Sequence, residues 1–287
     1  VRGEIGIVVV PESQRFAHAQ QGDTELYAAS VLGAYQGFFQ HNIQADWVHL
    51  DDIDVYDLLY LPYPVMLPQA AAERLRVWVE RGGTLISEGC PGYFDERGHV
   101  APRQPGLGLA ELFGAQESYV EFTPDLLGEL TFMAHGRWTY GGTFLQAYRP
   151  TTGKSAGWYV DGRVAVVDHA YGRGRTRLIG TMPGAGMAAH PDEPAPLFAD
   201  LLAWAGVAPH VRCSAPGIQA RLHQGGGKVF LWVVNPQHGS ASADLALGGP
   251  WRELRLVGSR WGEEAAWADG EITVTVGARD VAIIEMA

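Results

Sequence analysis

The sequence has little cysteine and no long apolar run. Its 287 residues include two cysteines, Cys90 and Cys213, whereas a disulfide-stapled secreted fold needs a higher density in a shorter chain. We therefore expect a reducing, cytoplasmic location. The apolar run from Ile5 to Val10 is far shorter than the ~20 residues that span a membrane, and no basic segment precedes it as in a signal peptide. The sequence predicts no membrane partner.

Positive charge is also scarce. Lys and Arg total 21 against 32 for Asp and Glu, which gives a formal net charge of −11, and Lys154 and Lys228 are the two lysines of the chain. Such a surface repels a phosphate backbone, and no basic tract offsets the repulsion. We expect no nucleic-acid partner.

Apolar residues are abundant, at 47% of the chain, which predicts a sizeable core. The length of 287 residues leaves room for one large domain or two ordinary ones. The chain opens on Val1 and enters a strand-like run within four residues. We therefore expect it to be a segment of a longer polypeptide.

The first half alternates strand and helix patterns. Pro11 closes the first strand and a loop follows it, and Gly82 and Gly83 end a later helix. Parallel strands need such crossovers, so the pattern predicts an α/β fold with a doubly wound, flavodoxin-like sheet. The predicted strands are 4–10, 45–50, 57–61 and 84–87, and the predicted helices are 24–41 and 68–81.

The periodicity lapses after Gly89 and changes character after Pro209. Between them we predict a short helix at 107–113, an irregular, β-rich insertion at 116–161, strands at 163–168 and 175–180, a loop from Thr181 to His190 and a helix at 194–204. Beyond Pro209 short alternating strands predict an antiparallel β-sandwich. The predicted domains are residues 1–209 and 210–287. The sandwich strands are 218–223, 228–235, 253–257, 271–276 and 280–285.

Cys90 is the sharpest candidate for chemistry. It follows a strand within Glu88-Gly89-Cys90-Pro91, a tight turn that can present an activated nucleophile. A base could come from His190 or His169. Residues 93–105 lack the helical spacing that would place a stabilising helix N-terminus beside the thiol, and a free cysteine is more commonly buried and inert.

Acidic residues offer two weaker hypotheses. The cluster Asp51, Asp52, Asp54 and Asp57 could bind a hard cation, but the calcium-loop and zinc spacings are absent, so we predict no metal and no cofactor. A glycosidase needs two carboxylates on rigid strand ends. Glu88 and Glu121 are among the acids present, yet no eight-fold barrel pattern holds a pair, and none is nominated.

Aromatic residues of the insertion have two interpretations. They could stack on sugar rings or on another subunit, or they could form an ordinary core. The residues concerned are Trp138, Tyr140, Trp158 and Tyr159.

An ordered series of segments resembles a known family. The segments are Tyr56–Pro62, Val79–Leu85, Gly92–Glu96 and Leu109–Gly114. Together they are similar to the trimerisation domain of glycoside hydrolase family 42 β-galactosidases, which has a class I glutamine amidotransferase-like fold. The likeness covers most of residues 4–205 and is strongest from Asp46 to Gly114. The sandwich from about Val211 resembles the family's small C-terminal β domain.

The resemblance implies a homotrimer whose chemistry lies elsewhere. In that family an N-terminal TIM barrel, here expected before Val1, carries both catalytic glutamates and hydrolyses terminal β-galactosides, so no catalytic residue is transferred. Cys90 falls where amidotransferases place their nucleophile, in a branch that resembles one without that chemistry. Two other hypotheses remain: a stand-alone hydrolase that uses Cys90 with His190 or His169, and a carbohydrate-binding accessory module.

Overall fold

The computed structural model describes residues 1–123, 130–268 and 270–287, and they form two compact units. The α/β unit comprises residues 5–37 and 46–200, and the β unit comprises residues 1–4, 38–45 and 201–287. The described helices are α1 (Pro11–Gln21), α2 (Glu25–Gln40), α3 (Gln69–Glu80), α4 (Leu109–Phe113), α5 (Pro183–Ala189) and α6 (Pro196–Trp204). In this part of the chain no helix combines the length and hydropathy needed to cross a membrane.

The strands are numbered in chain order. The described strands are β1 (Ile5–Val8), β2 (Ala45–Val48), β3 (Leu58–Leu61), β4 (Thr84–Ser87), β5 (Ala115–Phe122), β6 (Thr131–Ala134), β7 (Arg137–Tyr140), β8 (Phe144–Pro150), β9 (Lys154–Tyr159), β10 (Val164–Tyr171), β11 (Gly174–Ile179), β12 (Val211–Cys213), β13 (Gln219–Gly225), β14 (Lys228–Asn235), β15 (Ala241–Leu247), β16 (Leu256–Trp261), β17 (Ala266–Ala268), β18 (Glu271–Val276) and β19 (Asp280–Met286).

A large mixed sheet organises the α/β unit. In the described residues it has 11 strands, with β2-β1-β3-β4-β11-β10-β9-β6-β7 as its main path. β1, β3, β4 and β11 are parallel neighbours. Every residue of β1, β3 and β4 is buried, as expected for short apolar strands covered on both faces. The predicted α/β fold is confirmed, and helices connect the parallel strands.

The predicted insertion is more regular than expected. Outside residues 124–129, which lie beyond the described residues, its chain forms β5 to β9 and extends the sheet with antiparallel partners. β6 pairs with both β7 and β9, and β9 pairs with β10. Its β-rich character is confirmed, but the expectation of irregularity is wrong. Turn residues such as His135 and Gly136 adopt positive φ and join strands that a search for uninterrupted periodicity overlooks.

The loop expected after Pro11 is helix α1. Pro11 occupies its first turn, Glu12 complements the helix dipole there, and Gly22 ends it with a left-handed φ of 84°. Few apolar residues mark this helix, so the sequence pattern at Pro11 predicts only the end of a strand. The sequence signal for α1 is Pro11 itself, because proline is favoured in the first turn of a helix.

The loop expected between Thr181 and His190 contains helix α5. Position 184 of this helix requires glycine because the backbone of α2 comes close. A Cβ built on Gly184 would lie 1.9 Å from the Ser30 carbonyl oxygen. Reciprocally, a Cβ on Gly33 would lie 1.9 Å from the Gly184 carbonyl oxygen. These glycines permit a close helix crossing, whereas the sequence prediction interpreted the α5 glycines as loop residues.

The β unit contains two antiparallel sheets of four strands each in the described residues. Their orders are β12-β15-β18-β17 and β13-β14-β19-β16. Both contribute to one buried core, for example Leu245 and Val274 from the first sheet and Leu231 and Ile284 from the second. The predicted antiparallel β module is confirmed. The sequence prediction missed β12, β15 and β17, and it started the strand now seen as β16 at Glu253, where the structure begins it at Leu256.

We expect Gly33→Ala to destabilise the protein, since the new methyl group would overlap the α5 backbone. Overpacking of this kind costs about 1–3 kcal/mol. The free energy of unfolding in urea would measure it. Gly225→Ala is the matched control: no atom lies within 4 Å of the added Cβ, so its change should stay within about 0.5 kcal/mol. Equal values for the two variants would contradict the close crossing.

Candidate functional site

Strained backbone follows two of the parallel strands in the α/β unit and precedes one antiparallel strand of the insertion. Tyr63 follows β3, Cys90 follows β4 and Thr143 precedes β8, with φ values of 42°, 58° and 67°. All three are buried. Positive φ is uncommon outside glycine and clusters at functional sites. The carboxyl edge of the parallel strands is also where ligands bind in open α/β sheets, so it is the candidate site.

Cys90 sits on the tight turn that the sequence predicts. Its backbone N–H donates to Gln146 Oε1 at 2.7 Å, and the same oxygen accepts a hydrogen bond from the Tyr148 hydroxyl. A Cβ on the preceding Gly89 would lie 3.0 Å from the backbone of Gly180, so glycine allows β4 and the chain after β11 to approach. Cys90 has the positive φ of a nucleophile elbow, but a turn follows it where an elbow has a helix.

The surroundings of the thiol oppose its activation. Burial raises the pKa of Cys90 well above its usual value, and the Glu117 carboxylate raises it further. Gln146 Nε2 donates to that carboxylate at 2.7 Å and keeps it close. A reactive thiolate needs a neighbouring cation or a helix N-terminus. Cys90 instead packs among apolar and tyrosine side chains, including Tyr63 and Phe144.

The candidate bases lie in other arrangements. His190 directly follows the last residue of α5. Its ring stacks on the Tyr140 ring, with centroids 3.7 Å apart. The ring nitrogens of His169 face the Leu112 carbonyl at 3.0 Å and the Thr152 hydroxyl at 2.9 Å. Within the described residues no histidine hydrogen-bonds Cys90. The structure does not assemble a thiol–imidazole pair.

Sequence reasoning names Glu88 only among the acids present and assigns it no role. It directly follows β4, is fully buried and accepts four hydrogen bonds. The donors are the hydroxyl groups of Ser30 and Tyr60 (2.8 Å for Tyr60) and the backbone N–H groups of Tyr63 and Gly184 (2.9 Å each). An acidic residue placed directly after the short strand Thr84–Ser87 is the available signal, because it is buried together with the strand end.

Burial controls the protonation of Glu88. Desolvation raises the pKa of this carboxyl group to about 7, while the four hydrogen bonds oppose the shift. A perturbed carboxyl at a strand end is a candidate acid or base. Here, however, every donor belongs to the protein and the side chain is closed to solvent, so Glu88 anchors three segments around β4 instead of facing a substrate.

The acidic cluster does not form a metal site. Asp51, Asp52 and Asp54 lie on a 3₁₀ turn, Leu50–Val55, where Asp54 pairs with Arg74 at 3.1 Å and Asp51 with His49 at 3.2 Å. In the part of the chain that the structure describes, no group of three or more His, Cys, Asp or Glu could hold a metal ion. The exposed carboxylates remain a negative surface.

The insertion aromatics divide between core and surface. Tyr159 is buried and its hydroxyl donates to the Gly180 carbonyl at 2.7 Å. Tyr140 is half-buried under His190. Trp138 and Trp158 are exposed. The core interpretation therefore holds for Tyr159, and the two tryptophans are available for contact with another molecule.

The chain is similar to β-galactosidases over nearly its whole length. The family model described as the beta-galactosidase trimerisation domain matches residues 4–208. Beta-galactosidase LacZ of Heyndrickxia coagulans is 26% identical over 274 residues, which is 91% of this chain and 37% of that protein. Beta-galactosidase LacA of Lactobacillus acidophilus is 26% identical over 163 residues, 54% of this chain and 24% of that one.

Solved structures share the fold. The β-galactosidase of Bacillus circulans sp. alkalophilus has a TM-score of 0.78 at 19% identity, covering 99% of this chain and 41% of that one. Gan42B, a GH42 beta-galactosidase from G. stearothermophilus, has a TM-score of 0.78 at 18% identity, with 99% and 40% covered. The chain thus spans well under half the length of these enzymes.

We expect the pH dependence of stability to report Glu88. The pKa of Glu88 is higher in the folded than in the unfolded protein. Its contribution to the free energy of unfolding is therefore full below about pH 4.5 and declines as pH rises towards 7. Glu88→Gln removes this titration, but its amide NH₂ faces donors. The variant should therefore melt below the wild type at pH 5, and the gap in Tm should narrow by pH 8.

Glu73→Gln is the control for that experiment. Arg76 lowers the pKa of Glu73, so its stabilisation is present above about pH 4.5 and lost as pH falls below it. This exposed pair should leave the interval from pH 5 to 8 unchanged. A Glu88→Gln gap that is constant or widens with pH would contradict the raised pKa.

We also expect Cys90 to resist alkylation in the native protein. Cys213 is half-buried and Cys90 fully buried, and alkylation requires an accessible thiolate. Iodoacetamide near pH 7, followed by peptide mass spectrometry, should label Cys213 first and Cys90 at a comparable rate only after unfolding. Fast native labelling of Cys90 would support the hydrolase alternative.

Proposed function

The chain belongs to the β-galactosidase trimerisation domain family, and on that premise we propose that it is the non-catalytic assembly region of a β-galactosidase-like glycoside hydrolase. Its role is to associate with two further copies of itself in a homotrimer. The cleavage of terminal β-galactosides would take place on a catalytic barrel outside these residues. The family match over residues 4–208 is the observation that carries the proposal.

The architecture supports an assembly role for this chain and a catalytic site outside it. The described strands form one open mixed sheet and two small antiparallel sheets, whereas retaining and inverting glycosidases place two carboxylates across a sugar site. The relative LacZ is a β-galactosidase of which this chain covers 37%. The remaining length of such proteins has room for a barrel that carries the reaction.

The surroundings of Cys90, at the carboxyl ends of the parallel strands, support a scaffold role. The strand order at the parallel end, β2-β1-β3-β4-β11, fits a doubly wound, flavodoxin-like ancestry of the amidotransferase kind. At the nucleophile position Cys90 is buried beside Glu117, and its pKa is raised. A nucleophile needs the opposite environment, so we propose no catalytic role for Cys90 or His190.

The domain limits and location complete the proposal. We assign residues 1–209, with the 116–161 insertion, to the trimerisation domain and 210–287 to the C-terminal β domain. The two free cysteines suit a reducing compartment, which favours the cytoplasm. We propose no cofactor, no nucleic-acid partner and no membrane partner.

We expect the purified 287-residue chain to form trimers and to leave a chromogenic β-galactoside uncleaved. Sedimentation velocity over a concentration series would measure the first, and absorbance at high protein concentration the second. Cys90→Ser is the matched variant, since it should change neither result. A monomer at all concentrations would contradict the assembly role. Turnover by this chain that Cys90→Ser abolishes would establish the hydrolase alternative.

A further inference from the structure

A polar cavity lies next to the Cys90 turn in the α/β unit. Tyr93 is in its lining and donates its backbone N–H to the Cys90 carbonyl at 3.2 Å. The cavity has a volume of about 350 Å³, within the range of ~300–1,000 Å³ that small-molecule sites occupy. We call it the Glu117 cavity. The polar side chains of its lining are Tyr93, Arg103, Gln104, Gln116 and Glu117.

A buried network holds the Glu117 carboxylate at the wall of this cavity. Gln146 is fully buried, and its Nε2 donates to Glu117 Oε2 at 2.7 Å. The orientation of the Gln146 amide is fixed, because its oxygen accepts hydrogen bonds from the Cys90 N–H at 2.7 Å and from the Tyr148 hydroxyl. The carboxylate is therefore preorganised, and a hydrogen bond to its second oxygen costs little side-chain entropy.

Several polar groups of the lining have hydrogen-bonding capacity that the protein does not use. Within the described residues, no group hydrogen-bonds the Tyr93 hydroxyl, the Arg103 guanidinium or Oε1 of Glu117. Gln104 is 6% exposed, and its Nε2 donates to the Tyr93 carbonyl at 3.1 Å, whereas its buried amide oxygen accepts no hydrogen bond. Buried polar atoms are normally hydrogen-bonded. The lining therefore favours a ligand that supplies both donors and acceptors.

The charges of the lining favour an uncharged ligand. An anion would meet the Glu117 carboxylate and a cation would meet Arg103, since in the described part of the chain no ion pair neutralises either group. A hydroxyl group both donates and accepts, so a molecule with several hydroxyl groups can satisfy the charged groups and the amides together. An α-amino acid matches the two charges but supplies fewer groups for the amides. A sugar ring meets these requirements, and the Tyr93 ring offers an apolar surface to its C–H groups.

We propose that the Glu117 cavity binds a hexose. The Glu117 carboxylate accepts hydrogen bonds from the hydroxyl groups of the sugar, and Arg103 and the Tyr93 hydroxyl donate to them. The choice of galactose as the first probe rests on the proposed function, because a region of a β-galactosidase-like enzyme would encounter galactose as a reaction product. The site itself is inferred from the cavity and its polar groups.

Isothermal titration of galactose and of glucose into the 287-residue chain tests the inference. We expect saturable binding of at least one of the two sugars to the wild type. Glu117→Gln keeps the shape of the side chain and an acceptor for Gln146 but removes the charge. Because hydrogen bonds to charged groups are the stronger ones, this variant should bind the sugar ~10-fold more weakly or worse. Circular dichroism and Tm would verify that it is folded.

Arg103→Ala is the second variant. Arg103 is exposed, and within the described residues no ion pair or hydrogen bond involves its side chain, so its replacement should leave the fold intact. Sugar binding should still weaken by ~3-fold or more. Glu121→Gln is the matched control, because it makes the same chemical change as Glu117→Gln on the same strand, β5, outside the cavity lining. It should bind the sugar as the wild type does.

Three results would overturn the inference. The first is the absence of saturable binding of either sugar. The second is sugar binding that Glu117→Gln and Arg103→Ala leave unchanged, which would place the sugar elsewhere on the chain. The third is binding of glutamine that Glu117→Gln abolishes, without binding of either sugar, which would identify an amino-acid site. A monomeric chain would instead contradict the proposed assembly and leave this inference standing, because the titration does not depend on trimer formation.

Discussion

The buried Glu88 carboxylate is the constraint on which the α/β unit depends. Removing a carboxyl group from water is costly unless every oxygen is hydrogen-bonded, and here four donors from α2, β3, the turn after β3 and the start of α5 satisfy it. Displacing any of these segments would leave a polar atom unpaired in the core. One side chain therefore fixes the relative positions of several elements at the carboxyl edge of the sheet.

That fixed edge explains why the strained turn can persist without catalysis. Strain at Tyr63 and Cys90 survives only where the surroundings over-determine the backbone, and Glu88 and Gln146 supply the hydrogen bonds that do so. The same crowding excludes solvent and brings Glu117 near the thiol. A backbone turn that could present a nucleophile thus lies in an electrostatic environment that opposes a thiolate.

The sequence predicts elements whose pattern is local and strong, and fails where tertiary contacts decide. Buried strands such as Leu58–Leu61 and a helix stopped by Gly82 are visible as apolar runs and caps. Helix α5 was missed because Gly184 serves a backbone contact with α2, which no local pattern reveals. The elbow at Cys90 was predicted, but the state of its thiol depends on Glu117 and Gln146, which come from strands β5 and β8, remote in sequence.

The sheet extension changes what the ends of the sheet can do. With β10 and the insertion strands added beyond β11, the main path of the sheet ends at β7 and at β2, each a strand of four residues, while a branch through β8 ends at the eight-residue strand β5. Short edge strands are a common means of preventing strand addition between copies. Association through backbone pairing is therefore disfavoured at β2 and β7, and the specificity of any contact at these two strands must come from side chains. Large aromatic groups with charged neighbours can provide it.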